Sequence, residues 1–330
     1  MRRILAVVAV AALSACAAGP DSPVSDAAVD SGTDAGVVAD AGKDAGTADA
    51  STVVGAFQVT MIPAEGSTPG YTSLVGKVYD GPTPSQLVWE VSSTEGGCKL
   101  LKPRVPFCSA GCGSAVCVED DVCQAYPTAQ NLGTIKVKGL LNTAGETEFS
   151  VDPIAKTYQK TDLQYPAFAE GGDVSITVSD SAFSTGFVLK SRGVSQLTLA
   201  SGTLSLEKDT ALALNWTAPG TADISKIHVK LDISHHGGTK GKIECDVADN
   251  GTLVLPAGMI TELLGLGYAG FPSIVVTRSA AGSAVISAGK VEIVVSSGVE
   301  SQVKIQGLIS CNDDEDCPEG ETCQDDLTCK

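Results

Sequence analysis

Basic residues are scarce: 22 Lys and Arg stand against 39 Asp and Glu, a formal net charge of −17. No basic stripe interrupts this acidity, so phosphate backbones are repelled; nucleic acid is excluded, and an anionic lipid surface is a poor partner for electrostatic binding. Only 18% of residues are charged and 5% aromatic, whereas glycine numbers 36. With abundant Ser, Thr and Val, this is the composition of a turn-rich β protein rather than a helical one. An apolar content of 43% in 330 residues excludes wholesale disorder and is enough for one large or two ordinary domains. The chain also lacks a G-x-S-x-G elbow, an HExxH, a P-loop and a Rossmann fingerprint, so it announces no common catalytic apparatus and no cofactor.

What is present first is a leader. Met1, Arg2 and Arg3 precede the apolar run 4–13, which is too short to span a bilayer and suits a cleaved signal peptide over residues 1–15. It ends in Leu13-Ser14-Ala15-Cys16, which looks like a bacterial lipobox, implying a palmitate-type acylated Cys16 as the first mature residue. Ala17 rather than Asp follows, which by the enterobacterial sorting rule favours the outer membrane. Residues 17–50 carry seven aspartates against Lys43 in an irregular Asp-Ala-Gly reiteration that cannot bury enough surface to order itself. Residues 16–50 are therefore expected to be a lipid-anchored disordered tether, with a mean coil span of roughly 30 Å. Lipobox, Asp-Ala-Gly tether and Cys-rich segments together resemble lipoproteins of myxobacteria and their relatives, a likeness of construction rather than of activity. It implies a lipid-anchored protein of the cell envelope.

Eleven cysteines are an odd count, and giving Cys16 to lipid leaves an even ten in an exported, oxidising setting. Cys98, Cys108, Cys112, Cys117 and Cys123 cluster in an insertion over residues 95–127, Cys245 stands alone, and Cys311, Cys317, Cys323 and Cys329 recur at even x5 spacing. Five in one cluster require one partner outside it, and Cys245 is the candidate; a free buried core cysteine is the alternative. Residues 311–330 have no apolar core, so only two disulfides can shape this acidic tail, by any of three connectivities. The tail resembles the small disulfide knots of secreted myxobacterial proteins. Zinc is disfavoured because the Cys-x2-Cys spacing of structural sites is missing.

Between these segments, short alternating apolar runs bounded by turn residues predict a mainly β fold, a β-sandwich of immunoglobulin or fibronectin kind. Residues 51–195 are expected to form a β-rich domain with the Cys-rich insertion and 196–310 a second sandwich domain; a single merged sandwich is the alternative. Strands are expected at 274–277, 291–295 and 303–305, among others, and Asn250-Gly251 reads as a tight hairpin turn between 243–247 and 253–255. One helix is predicted after Pro256, with Met259, Ile260, Leu263 and Leu264 as its buried stripe and Gly267 ending it. Trp89 and Trp216 each share a strand face with aliphatic residues and read as core.

The three histidines, His228, His235 and His236, are the candidates for metal binding or acid–base work. His228 is expected to point outward beside Lys230 and Asp232, and the pair to sit in a solvated loop at 234–240. Asp314 and Asp316, in the acid run of the tail, are candidate calcium ligands. These readings converge on a non-catalytic envelope lipoprotein displaying β-sandwich surfaces to a protein or glycan, held to the membrane by its lipid. The alternatives are an envelope hydrolase with a loop-assembled site and a calcium- or metal-dependent adhesion module.

Overall fold

The computed structural model describes residues 51–64, 66–200 and 202–330; the leader, Cys16 and the tether lie outside the described residues. Strands β1 (Val53–Ile62), β2 (Tyr71–Val78), β3 (Val88–Glu95) and β4 (Cys98–Arg104) lead into a short pair, β5 (Val116–Glu119) and β6 (Val122–Gln124). Next come β7 (Ile135–Lys138), β8 (Glu148–Val151), β9 (Tyr158–Lys160), β10 (Asp173–Val178) and β11 (Phe187–Arg192). The remainder holds β12 (Leu204–Leu206), β13 (Leu212–Asn215), β14 (Lys226–Asp232), β15 (Lys242–Ala248), β16 (Thr252–Leu255), helix α1 (Ala257–Gly265), β17 (Ser273–Ile286) and β18 (Gly289–Ile305).

One large sheet organises all of this, in the order β3-β4-β15-β14-β17-β18-β1-β2-β9, with β12 added to the far part of β18. Its inner face is covered twice. Over one half lies the sheet β11-β10-β7-β8, enclosing a core with Phe57, Val59, Leu74, Tyr158, Ile176, Leu189 and Ile293. Over the other half lie the β13–β16 pair and α1, enclosing Leu100, Trp216, Val229, Leu231, Ile243, Ile260 and Val276. The fold is thus mainly β and sandwich-like. The helix buries Met259, Ile260, Leu263 and Leu264, the stripe its sequence spacing predicts.

The boundary expected near residue 195 gives way to the merged arrangement. Strands from both sides of that residue share the large sheet, and the described residues form one compact unit. The joint is the β17–β18 hairpin, whose strands of 14 and 17 residues run under both cores. Sequence alternation breaks them into shorter pieces because the middle of β17 is small and polar. The reason is steric: a Cβ on Gly282 would meet the Lys190 carbonyl oxygen at 1.8 Å, so β11 packs directly on the backbone there. The Asn250-Gly251 hairpin is also corrected. β15 pairs with β14 and β4, and β16 with β13, so this turn carries the chain from the large sheet to its cover. Trp216 is buried as expected, but Trp89 sits half-buried on edge strand β3, with the Lys242 ammonium 4.0 Å over its ring.

Where the two cores meet, the inner face turns polar. Arg278 of β17 is 1% exposed and lies between apolar Val276 and Ala280 on the same face. Its guanidinium forks onto Asp249, Nε to Oδ2 at 2.5 Å and Nη2 to Oδ1 at 3.0 Å, and also donates to Ser195 Oγ and to the carbonyls of Gln196 and Thr217. Asp249 accepts as well from Trp216 Nε1 and Ser225 Oγ. Burial alone would raise this carboxyl; the hydrogen bonds from Arg278, Ser225 and Trp216, with the guanidinium charge, outweigh it and hold Asp249 below the usual carboxylate range.

Candidate functional site

Five bridges join the ten cysteines of the described residues. Cys98 pairs with Cys245 between directly opposed positions of β4 and β15, the link from the cluster to the lone cysteine that parity requires. The rest form two small knots with the same interlaced order, first to third and second to fourth. In the finger at 105–126 these are Cys108–Cys117 and Cys112–Cys123; in the tail, Cys311–Cys323 and Cys317–Cys329.

The likeness goes further than connectivity. In both knots the third and fourth cysteines are six positions apart and oppose each other as antiparallel partners, Cys117 with Cys123 and Cys323 with Cys329. In both, the fourth residue after the third cysteine has a left-handed backbone: Asp121 at φ 59° and Leu327 at φ 57°. Both also use carboxylates to fasten loop amides. Asp120 accepts from the Phe107 amide and pairs with Arg104, and Asp121 accepts from the amide and hydroxyl of Ser109, which hold both carboxyls below their ordinary range. In the tail, Asp314 accepts from the Cys323 amide and Asp316 from that of Asn312. The two calcium candidates thus serve as internal clasps. The three-cysteine groupings with metal-like proximity, Cys108 with Cys112 and Cys123 and Cys311 with Cys317 and Cys329, consist of bridged sulfurs.

The knots differ in what they show to solvent. The finger covers Pro106 and Val116 but leaves Val105 and Phe107 each 73% exposed and Val122 46% exposed. The tail is fastened to the body through its backbone: the Gly270 amide donates to the Asp326 carbonyl, the Cys329 amide to that of Ile309, and Ser310 Oγ to that of Gly270. A Cβ on Gly237 would meet Asp326 O at 2.5 Å, so this docking requires glycine.

The histidines do not converge. His228 lies on the outer face of β14, and its Nδ1 is 2.9 Å from Asp246 Oδ1 on β15; this bond holds Asp246 below its ordinary range. His235 and His236 lie in the β14–β15 loop, past the end of β14 at Asp232, with ring centroids 3.9 Å apart and His235 Nε2 3.9 Å from Glu300. The loop is less free than a solvated one: the His235 carbonyl accepts from the Phe271 amide, and the docked tail abuts Gly237. Sequence reasoning missed the Arg278–Asp249 node, because a lone arginine in a small-residue stretch carries no pattern. It also missed the exposed Phe107, whose only signal is an aromatic between proline and cysteine.

No family model and no curated protein sequence matches this chain. Matches among solved structures include the crystal structure of chicken CNTN1 FN1-FN3 domains, at 10% identity and a TM-score of 0.22, covering 73% of this chain and 83% of that one.

Proposed function

We propose that this protein is a lipid-anchored, non-catalytic binding module of a bacterial cell envelope, placed in the outer membrane by acylated Cys16, and that its finger carries the partner contact. The observation that carries the binding role is the finger itself. Two disulfides and two carboxylate clasps fix its shape, yet Val105, Phe107 and Val122 stay in solvent. Holding apolar side chains rigid and exposed gives the fold nothing, whereas a partner binding them loses little conformational freedom. A protein surface with an apolar recess suits this chemistry, since two of the three side chains, Val105 and Val122, are aliphatic. The anchor is supported by the lipobox and by the Asp-Ala-Gly segment leading into β1.

Each half has its own test. Detergent-phase partitioning and intact mass of wild type against Cys16→Ala are expected to show an acylated chain and its loss; an unmodified soluble wild type overturns the anchor. The double change Val105→Ser with Phe107→Ser is expected to abolish association with envelope protein while leaving melting unchanged, and undiminished association overturns the finger's role. Reproducible hydrolysis of an ester, peptide, glycoside or phosphate, lost in His228→Ala, His235→Ala or His236→Ala, contradicts the non-catalytic reading.

A further inference from the structure

Strand register brings the point where the chain enters the sheet together with several loop tips. Val53, the first residue of β1, opposes Lys290, whose amide donates to the Thr52 carbonyl. Val285 opposes the same lysine across the β17–β18 hairpin. On the other side of β1, the Tyr79 amide donates to the Val54 carbonyl, and the Asp80 amide to that of Thr128, two residues after Tyr126. β9 pairs antiparallel with β2, with Tyr158 opposite Gly76, so the turn that closes between Ile154 and Thr157 projects toward this same end. At these tips Ile154 is 75%, Val285 60% and Tyr126 58% exposed. Lys77, Lys156 and Lys290 lie among them, Lys290 paired with Glu292 at 2.8 Å, and Asp80 sits at the same end.

We propose that this end of the body faces lipid, with Ile154, Val285 and Tyr126 resting in the interfacial layer of the membrane that carries the acylated Cys16. The inference rests on the anchor reading above. Its occupant is a lipid surface rather than a groove-binding partner because the three side chains stand on separate turns, spread around the point where the chain arrives. Three such contacts are too few to bind a membrane from solution, but on a tether spanning roughly 30 Å the encounter is intramolecular and weak contacts suffice. The point of entry sets the orientation: Lys77 and Lys156 offset Asp80 at this end and Lys290 is paired with Glu292, so in a chain of net charge −17 it is one of the less acidic parts of the surface, and the chain that leads to Cys16 joins the body here. A tyrosine at the rim suits the boundary between acyl chains and headgroups.

The test uses the full mature chain, reconstituted in vesicles of phosphatidylethanolamine and phosphatidylglycerol with brominated acyl chains. Ile154→Trp and Val285→Trp report on this end; Tyr71→Trp, at the opposite end of β1 and β2, serves as reference. All three positions are exposed, so the fold does not depend on them. The expected result is that the tryptophans at 154 and 285 shift to the blue and lose about half their emission, as for groups at the acyl boundary, while that at 71 is unchanged. Chains that float with the vesicles but show no quenching at 154 or 285 overturn the orientation and leave the anchor intact. Chains that do not float overturn the anchor and the inference with it. Shielding of 154 and 285 that rises with protein concentration in the absence of vesicles assigns this end to a second copy and overturns the lipid contact. Changing Ile154 and Val285 together to Glu is expected to abolish the quenching of a tryptophan at 126 without releasing the chain from the vesicles.

Discussion

The finger and the tail are built alike and used differently. Both interlace two disulfides, oppose the last two cysteines as strand partners, and fasten loop amides with aspartates. The tail joins its backbone to the loops around Gly237 and Gly270, and its exposed side chains are mostly polar. The finger puts Val105 and Phe107 into water instead. Covalent staples can therefore make a small segment rigid without saying what it is for; that is decided by which side chains it leaves unburied and by what its backbone touches.

The largest effect should come from neither knot. Changing Cys98 and Cys245 to Ala together opens a loop of 147 residues and is expected to lower stability by about 5 kcal/mol in the chain-entropy account, whereas the knot bridges close loops of 9 to 12 residues. Denaturant unfolding of the three classes of variant checks the ranking, and equal losses would break the distinction between body and knots.

Next in size is the node between the cores. Asp249→Ala strands a buried guanidinium and is expected to cost about 3 to 5 kcal/mol. Because the folded-state pKa of Asp249 is depressed, its contribution is present above the ordinary carboxylate range and is lost as pH falls through and below that range. Thermal melts of wild type should therefore drop with acidification below about pH 4, and the Asp249→Ala variant should show a shallower drop.

Gly270→Ala sharpens the contrast between the knots. The added Cβ would meet the His235 carbonyl oxygen at 2.2 Å, so the α1–β17 loop and the tail docked on it must shift, at about 2 kcal/mol. Amide exchange is expected to rise in residues 311–330 and 234–237 while the finger stays protected. Phe107→Ser should have the smallest effect on stability, within about 0.5 kcal/mol, because its ring supports nothing in the fold.

How much of this was readable in advance depended on whether the feature leaves a periodic trace. The strand over 243–247 and the stripe on α1 were legible because each leaves a periodic apolar trace. The Cys245 bridge was legible from parity, and the split between finger and tail bridges from spacing. The continuity of β17 and β18 was hidden, since residues 279–284 are small and let β11 approach the backbone rather than burying large side chains. Trp89 misled because alternation identifies a face and not which face is inner, and an edge strand buries neither fully. The shared geometry of the knots was obscured by unequal cysteine spacing, with the left-handed position filled by Asp121 in one and Leu327 in the other.

The central claim is that the two knots, alike in construction, divide into a contact surface and a fastening. The most direct measurement places a photo-crosslinking residue at Phe107 of the finger and, separately, at Asp325 of the tail, in the full chain in its native envelope. A discrete crosslinked species from position 107 and none from 325 is the expected result. Equal crosslinking from both positions, or none from 107, would contradict it.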